Sequence, residues 1–156
     1  MVPLELRDAL LRLVVATAIG AVIGINRDLK HKPAGLRTHA LVSLAAAFIV
    51  EIALSLPARD IGDAGASASR VMQGAITGIG FLGAGVILRA RDQEQVHGLT
   101  TAASIWLAAG LGMGAGAGSW VPLLVAVGLA MTVLLVGGAI ERFFHRLFDS
   151  GPPPAA

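Results

Sequence analysis

The sequence predicts an all-α fold, a polytopic bundle of five transmembrane helices, from two observations. First, 55% of the 156 residues are hydrophobic and only 14% are charged, whereas a soluble domain carries about 25% charged residues. Second, the apolar residues form continuous runs long enough for helices of about 20 residues, the length that crosses a bilayer core. Barrel strands would alternate apolar and polar residues, and these runs do not.

A turn inside the longest apolar run brings the number of spans to five. From Gly98 to Ile140 there is no charged residue, and one helix of that length would measure about 60 Å, twice a bilayer core. The glycine-rich segment from Gly110 to Trp120 is the natural place for the chain to reverse. The predicted spans are 5–25, 39–56, 70–89, 98–117 and 120–141.

The placement of basic residues predicts the orientation, because cytoplasmic segments carry the excess of lysine and arginine. The loop after the first span, the loop after the third and the carboxyl-terminal tail are basic and lie on one side of a five-span protein. The amino terminus is then outside and the carboxyl terminus cytoplasmic. We expect one transmembrane domain over residues 1–148 and a disordered tail over 149–156. The basic residues are Arg27, Lys30, Lys32, Arg37, Arg89, Arg91, Arg142 and Arg146.

Glycines at four-residue spacing predict close helix packing, because helices in lipid associate where small residues let backbones approach. These rows either pack within one bundle or meet a second copy, and the second alternative predicts a homodimer. The residues expected to pack are Gly20, Gly24, Gly74, Gly78, Gly83, Gly85, Gly110, Gly114 and Gly118, with Gly112 and Gly116 as a second row in span four.

Charged side chains inside a span are costly and usually paired. Arg12 and Glu51 lie near the outer ends of two antiparallel spans, so we predict an ion pair between them. The pair would act either as a packing contact or as part of an ion relay. Span three adds Arg70 and Gln73 at its outer start, whose roles would be structural contact or partner recognition, and Thr77 as a further intramembrane polar residue.

The cytoplasmic edge gathers most of the polar residues at one depth. They either set the topology and contact anionic lipid headgroups or form a polar site. No second histidine lies at helical spacing from His39, so we expect no histidine zinc site, and any metal ligands remain unknown. The members of this edge are Asn26, Arg27, Asp28, Arg37, Thr38, His39, Thr100, Thr101 and Ser104.

Several function classes lack the residues they need. The chain has no cysteine, no paired catalytic carboxylates and no identifiable Ser–His arrangement, so we expect no enzyme. We expect neither a cofactor nor a nucleic-acid partner. Only Glu51 lies within an apolar run, which does not support a dedicated divalent-cation channel. Backbone carbonyls or a dimer axis could still supply oxygen ligands, so magnesium as ligand or substrate stays open.

Three motifs in order closely resemble the MgtC/SapB family of bacterial inner-membrane proteins. They are KPAGLRTHALVSL at 32–44, RVMQGAITGIGFLGAGVIL at 70–88 and GLTTAASIW at 98–106. The resemblance covers about Leu11 to Leu135 and implies a multi-pass protein of the bacterial inner membrane with five spans, in agreement with the number above.

The resemblance also implies a role in magnesium homeostasis and adaptation to low magnesium, and in some pathogens a role in virulence through survival inside macrophages. It favours a regulator that binds a membrane partner, such as the F-type ATP synthase or a magnesium transporter. The alternative is a transporter or channel for magnesium or another cation.

Two features depart from the family pattern. Members usually end span one with Glu-Arg, whereas this chain has Asn26 and Arg27, followed by Asp28; the acidic partner is therefore expected to have moved by one position or to be lost. Many members carry a cytosolic domain that resembles ligand-binding ACT modules. We expect an activity that needs this domain to be absent or to be supplied by another protein.

Overall fold

A computed structural model of the protein describes residues 4–55, 63–88 and 98–148. This part of the chain is helical and forms five helices, each long and apolar enough to cross a membrane. The all-α fold with five spans is therefore confirmed, while the orientation of the termini stays a prediction. The helices are α1 Leu4–Leu29, α2 Leu36–Ser55, α3 Asp63–Leu88, α4 Leu99–Gly116 and α5 Trp120–Phe148.

Three helices extend beyond the predicted spans by at least four residues at one end, because backbone hydrogen bonding continues beyond the apolar run. The helix α1 continues to Leu29, α3 begins at Asp63 rather than near residue 70, and α5 continues to Phe148 rather than ending near 141. The predicted disordered tail over 149–156 lies outside the described residues.

The turn between α4 and α5 lies where the glycine-rich segment predicted it. The backbone N–H of Ala117 donates to the carbonyl of Met113 at 2.9 Å, and that of Ser119 donates to Gly114 at 3.0 Å. Gly118 has a φ of 69°, in the left-handed region that a glycine adopts without strain. The uncharged run is therefore two helices joined by three residues.

The helix α4 occupies the centre of the bundle. One hydrophobic cluster joins it to α2 and α3, with Val50, Ile105 and Ala108 among its buried members. A second joins it to α1 and α5 through Ala16, Leu111 and Leu123. The helices α1, α2 and α4 also contact one another directly. We call these three the inner helices, and α3 and α5 the outer helices.

Four glycines allow the inner helices to touch backbone to backbone. A Cβ atom on Gly20 would overlap the carbonyl oxygen of His39, and one on Gly24 would overlap Leu36. On α4, a Cβ on Gly112 would overlap the carbonyl oxygen of Ser43. Gly116 approaches Ala47 of α2 in the same way.

The other glycines of the predicted rows make looser contacts within the chain or none. Gly83 and Gly114 have ordinary contacts, with Ala102 at 3.5 Å and with Leu123 at 3.6 Å. A Cβ atom on any of four others would have no neighbour within 4 Å, so these positions lie in open space. The four glycines in open space are Gly74, Gly78, Gly85 and Gly110.

Candidate functional site

Arg27 anchors a buried polar network at the end of the bundle where α1 ends and α4 begins. The Arg27 side chain is only 3% exposed, and its Nη2 donates to Thr101 Oγ1 of α4 at 2.8 Å. Its Nε has no hydrogen-bond acceptor, and Arg27 forms no ion pair within the described part of the chain. The helix end thus holds a buried guanidinium that no carboxylate of the described residues pairs with.

His39 and Ser104 continue this network between α2 and α4. His39 is fully buried; its Nδ1 lies 2.8 Å from the carbonyl oxygen of Gly35, and its Nε2 lies 3.0 Å from Ser104 Oγ. A carbonyl oxygen only accepts, so Nδ1 carries the hydrogen. The Ser104 hydroxyl donates to the carbonyl oxygen of Thr101 at 2.8 Å, and His39 Nε2 lies within hydrogen-bonding distance of the same hydroxyl oxygen. These contacts fasten α2 to α4.

Asn26 and Asp28 lie beside Arg27, and neither neutralises it. Asn26 is buried, and its Oδ1 has no hydrogen-bond partner. Asp28 instead accepts the backbone N–H of Leu36 at 2.8 Å. This bond satisfies one of the free N–H groups at the start of α2. The carboxylate that follows Arg27 in the sequence therefore fixes the α1–α2 loop.

A cavity of about 660 Å³ opens next to Arg27, between the end of α1, the start of α4 and the second half of α5. We call it the basic cavity. Lys30 reaches across it and donates to the carbonyl oxygen of Leu134. Four cationic side chains and one carboxylate line it, together with the hydroxyl of Thr100 and apolar residues of α5. The charged residues are Arg27, Lys30, Lys32, Arg142 and Glu141.

The predicted cytoplasmic edge is divided by the structure. Arg27, Thr101, Ser104 and His39 form the buried network, and Thr100 lines the basic cavity. Arg37 and Thr38 begin α2 at the same end of the bundle, but their side chains are exposed and take no part in the buried network.

The predicted ion pair between Arg12 and Glu51 is wrong. Arg12 pairs with Asp8, one turn earlier on α1, with Nη2 and Oδ2 2.5 Å apart. Its Nη1 also donates to the carbonyl oxygen of Gly116 at 3.0 Å. Arg12 therefore caps the carboxyl end of α4, where free carbonyls favour a cation.

The polar residues of span three bond within their own helix or lie at its surface. Thr77 Oγ1 donates to the carbonyl oxygen of Gln73 at 2.9 Å. The Gln73 amide lies 3.4 Å from Ser69 Oγ. Arg70 is exposed on the same helix. All three side chains are exposed.

The sequence pattern did not single out two sets of residues that the structure shows to matter. Ser43 is fully buried, and its hydroxyl donates to the carbonyl oxygen of Ala16 at 2.7 Å. A lone serine among alanines gave no signal for this contact. In the sequence, Lys30, Lys32 and Arg142 indicated only the orientation of the protein in the membrane. Their clustering depends on the position of α5 beside the end of α1.

The arrangement suits an anion better than a metal ion. Among the residues that the structure describes, no three His, Cys, Asp or Glu side chains lie close enough to hold a metal. The basic cavity instead offers guanidinium, ammonium and hydroxyl donors.

Comparison with known proteins places the chain in a family. Residues 13–143 match the model of the MgtC family. Protein SrpB of Synechococcus elongatus is 41% identical over 137 residues, which cover 81% of this chain and 72% of that protein. Protein SapB of Bacillus subtilis is 43% identical over 117 residues, covering 71% and 48%.

A third relative is the Escherichia coli (strain K12) protein named "Putative magnesium transporter YhiD". It is 36% identical over 142 residues, which cover 90% of this chain and 62% of that protein. The chain thus spans between 48% and 72% of the length of these three relatives. No solved structure is significantly similar to it. With 131 of its residues matched by the family model and five helices long enough to span a bilayer, the chain is a multi-pass membrane protein and belongs to the MgtC family.

Proposed function

We propose that this chain is a regulatory protein of the bacterial inner membrane that contributes to magnesium homeostasis by binding a membrane partner. It is not an enzyme and does not conduct magnesium. The link to magnesium rests on the family and on the name of the Escherichia coli relative. The preference for a regulator rests on one observation, the excess of positive charge at the basic cavity.

This charge opposes the entry of a divalent cation. Mg²⁺ binds through carboxylates, substrate phosphates and retained water. At the basic cavity it would face four cationic side chains and a single carboxylate. The hydrogen bond between the buried side chains of Arg27 and Thr101 then closes the entrance from the cavity to the interior of the bundle.

The inner helices leave little space for a pore. Their backbones are in contact at Gly20, Gly112 and Gly116. Glu51 is the carboxylate within the apolar part of α2, and it lies towards the far end of that helix from the basic cavity. These features support a packed bundle in which α1, α2 and α4 do not separate during function.

The partner surface that we propose is the exposed part of α3 around Gly74 and Gly78, and a second copy of the chain is its first occupant. The small-residue pair Gly74 and Gly78 lies one helical turn apart, with no neighbour within 4 Å of either Cβ position. Such a pair permits close approach of another helix in lipid. The F-type ATP synthase and a magnesium transporter are the proposed larger partners.

The second candidate function is a magnesium transporter, which the name of the Escherichia coli relative favours. Flux into proteoliposomes that contain only this chain separates the two. We expect Mg²⁺ uptake equal to that of protein-free liposomes, and the same result for Glu51→Gln. Uptake that the intact chain supports and Glu51→Gln abolishes would establish the transporter and refute the regulator.

A further inference from the structure

We propose that the basic cavity is a binding site for a phosphate group, supplied either by an anionic phospholipid headgroup or by a free phosphate. Neither the family nor the names of the relatives assign this site. It goes beyond the regulatory function proposed above, for which the positive charge of the same cavity only opposes the entry of a cation.

Arg27 carries a buried charge that no described carboxylate pairs with. A buried arginine is stable when acceptors satisfy its donors and an anion balances its charge. Arg27 is 3% exposed, has one hydrogen bond to Thr101 and leaves its Nε without an acceptor. Its neighbour Asp28 is engaged by the backbone of Leu36. Within the residues that the structure describes, no carboxylate pairs with Arg27, so an added anion would balance its charge.

Three further cationic side chains line the same basic cavity. The backbone carbonyl of Arg27 accepts the N–H groups of Lys30 and Lys32, each at 3.1 Å. This tight turn holds both lysines at the rim of the cavity. Arg142 completes the set from α5. A phosphate group fits such a set, because its oxygens accept charge-assisted hydrogen bonds from guanidinium and ammonium groups together.

The basic cavity also has room for a phosphate group and the molecule that carries it. Gly137 and Gly138 line it without side chains, and the Arg142 guanidinium lies 3.6 Å from where a Cβ of Gly138 would stand. A volume of about 660 Å³ is much larger than a phosphate ion alone and lies in the range of small-molecule sites.

The remaining wall of the cavity includes the apolar side chains of Val133 and Leu135 on α5. A headgroup phosphate beside an apolar wall is the arrangement of a phospholipid at a membrane edge. These features favour the lipid as the source.

Binding of the purified full chain to three probes tests the site: short-chain phosphatidylglycerol, short-chain phosphatidylcholine and inorganic phosphate. The variants are Lys30→Gln and Arg142→Gln, which change exposed side chains and are expected to fold. Arg37→Gln is the matched control, because Arg37 is an exposed arginine at the same end of the bundle but does not line the cavity.

We expect phosphatidylglycerol to bind more tightly than phosphatidylcholine and to raise the melting temperature. Each cavity variant should raise the Kd for phosphatidylglycerol about tenfold, the loss expected for one charge-assisted hydrogen bond, while Arg37→Gln leaves it unchanged. Competition by inorganic phosphate identifies free phosphate as a ligand, and absence of competition identifies the lipid. Equal binding of the two lipids, an equal loss in Arg37→Gln, or no binding of either phosphate-bearing anion would overturn the proposal.

Discussion

The inner and outer helices of this bundle are held by different means. The helices α1, α2 and α4 touch at backbone level through glycines such as Gly20 and Gly112 and share buried polar side chains. The helices α3 and α5 contact them mainly through side-chain packing. In lipid, apolar area alone does not drive association. The difference indicates that small residues and hydrogen bonds, rather than hydrophobicity, decide which helices form the core.

Polarity follows the same division. Four of the buried polar side chains, Arg27, His39, Thr101 and Ser104, lie in one network between the inner helices. The outer surface instead carries residues such as Phe81, which is 81% exposed. A hydrogen bond protected from water fixes the helix registers, and a lipid-facing phenyl ring does not. Variants of the two regions should therefore differ sharply.

The largest effect should come from adding one methyl group between α4 and α2. In Gly112→Ala the new Cβ would overlap backbone atoms of Ser43, and relief requires the helices to separate. We expect a loss of about 3 kcal/mol in the free energy of unfolding, at the upper end of overpacking costs, measured by equilibrium unfolding in mixed micelles.

The matched control for this change is Gly110→Ala on the same helix. Its Cβ would have no neighbour within 4 Å, and alanine favours the helix over glycine by about 0.5–1 kcal/mol. The control should therefore be neutral or stabilising. Equal losses in the two variants would show that α4 does not contact α2 through the glycine row that the structure indicates.

A smaller effect should follow from removing one acceptor of the buried network. Thr101→Val keeps the shape of the side chain but leaves Arg27 Nη2 without its partner at 2.8 Å. We expect a loss of about 1–2 kcal/mol, the cost of an unsatisfied buried donor. Thr100→Val, at an exposed position one residue earlier, should change the free energy of unfolding little. If Thr101→Val leaves the free energy of unfolding unchanged, the hydrogen bond between Arg27 and Thr101 does not stabilise the bundle.

The smallest effect on stability should come from the exposed part of α3 around Gly74 and Gly78. Gly74→Leu meets no atom of the chain, so the free energy of unfolding should change by less than about 1 kcal/mol. The same change should block a second copy from approaching. Because the chain has no cysteine, a single Gly78→Cys reports this contact by disulfide cross-linking in membranes, and adding Gly74→Leu should abolish the cross-link.

A reporter on the other outer helix serves as the control for cross-linking. Leu129→Cys is exposed on α5 and should give no dimer. Monomer at Gly78→Cys, or equal cross-linking at both positions, would refute the proposed homodimer and leave α3 as a lipid-facing helix.

The sequence predicts the helices well and their rotations poorly. The number of spans and the turn near Gly118 follow from the length of uncharged segments, which the thickness of the bilayer limits. Depth in the membrane also follows from the sequence, which explains why Arg27, His39 and Thr101 were expected at one edge. Depth does not say which way a side chain points. Arg12 and Glu51 have matching depths, yet Arg12 turns to Asp8 and the end of α4.

The same limit applies to the glycines of α4. Gly110 and Gly114 form one row, and Gly112 and Gly116 form another with identical spacing. Their spacing alone cannot show which row packs against another helix. The structure places the second row against α2. The basic cavity could not be predicted for a related reason. Lys30 and Arg142 are distant in the sequence, and only the packing of α5 beside the end of α1 brings them to one cavity.

The short turn between α4 and α5 constrains how the chain enters the membrane during synthesis. Three residues join the two helices, and a link of that length reaches at most about 14 Å, half the thickness of the bilayer core. Once α4 has crossed, α5 must start from the same face and return. Because so short a link joins them, we expect the two helices to insert as one hairpin, in which the more apolar α5 assists the insertion of α4.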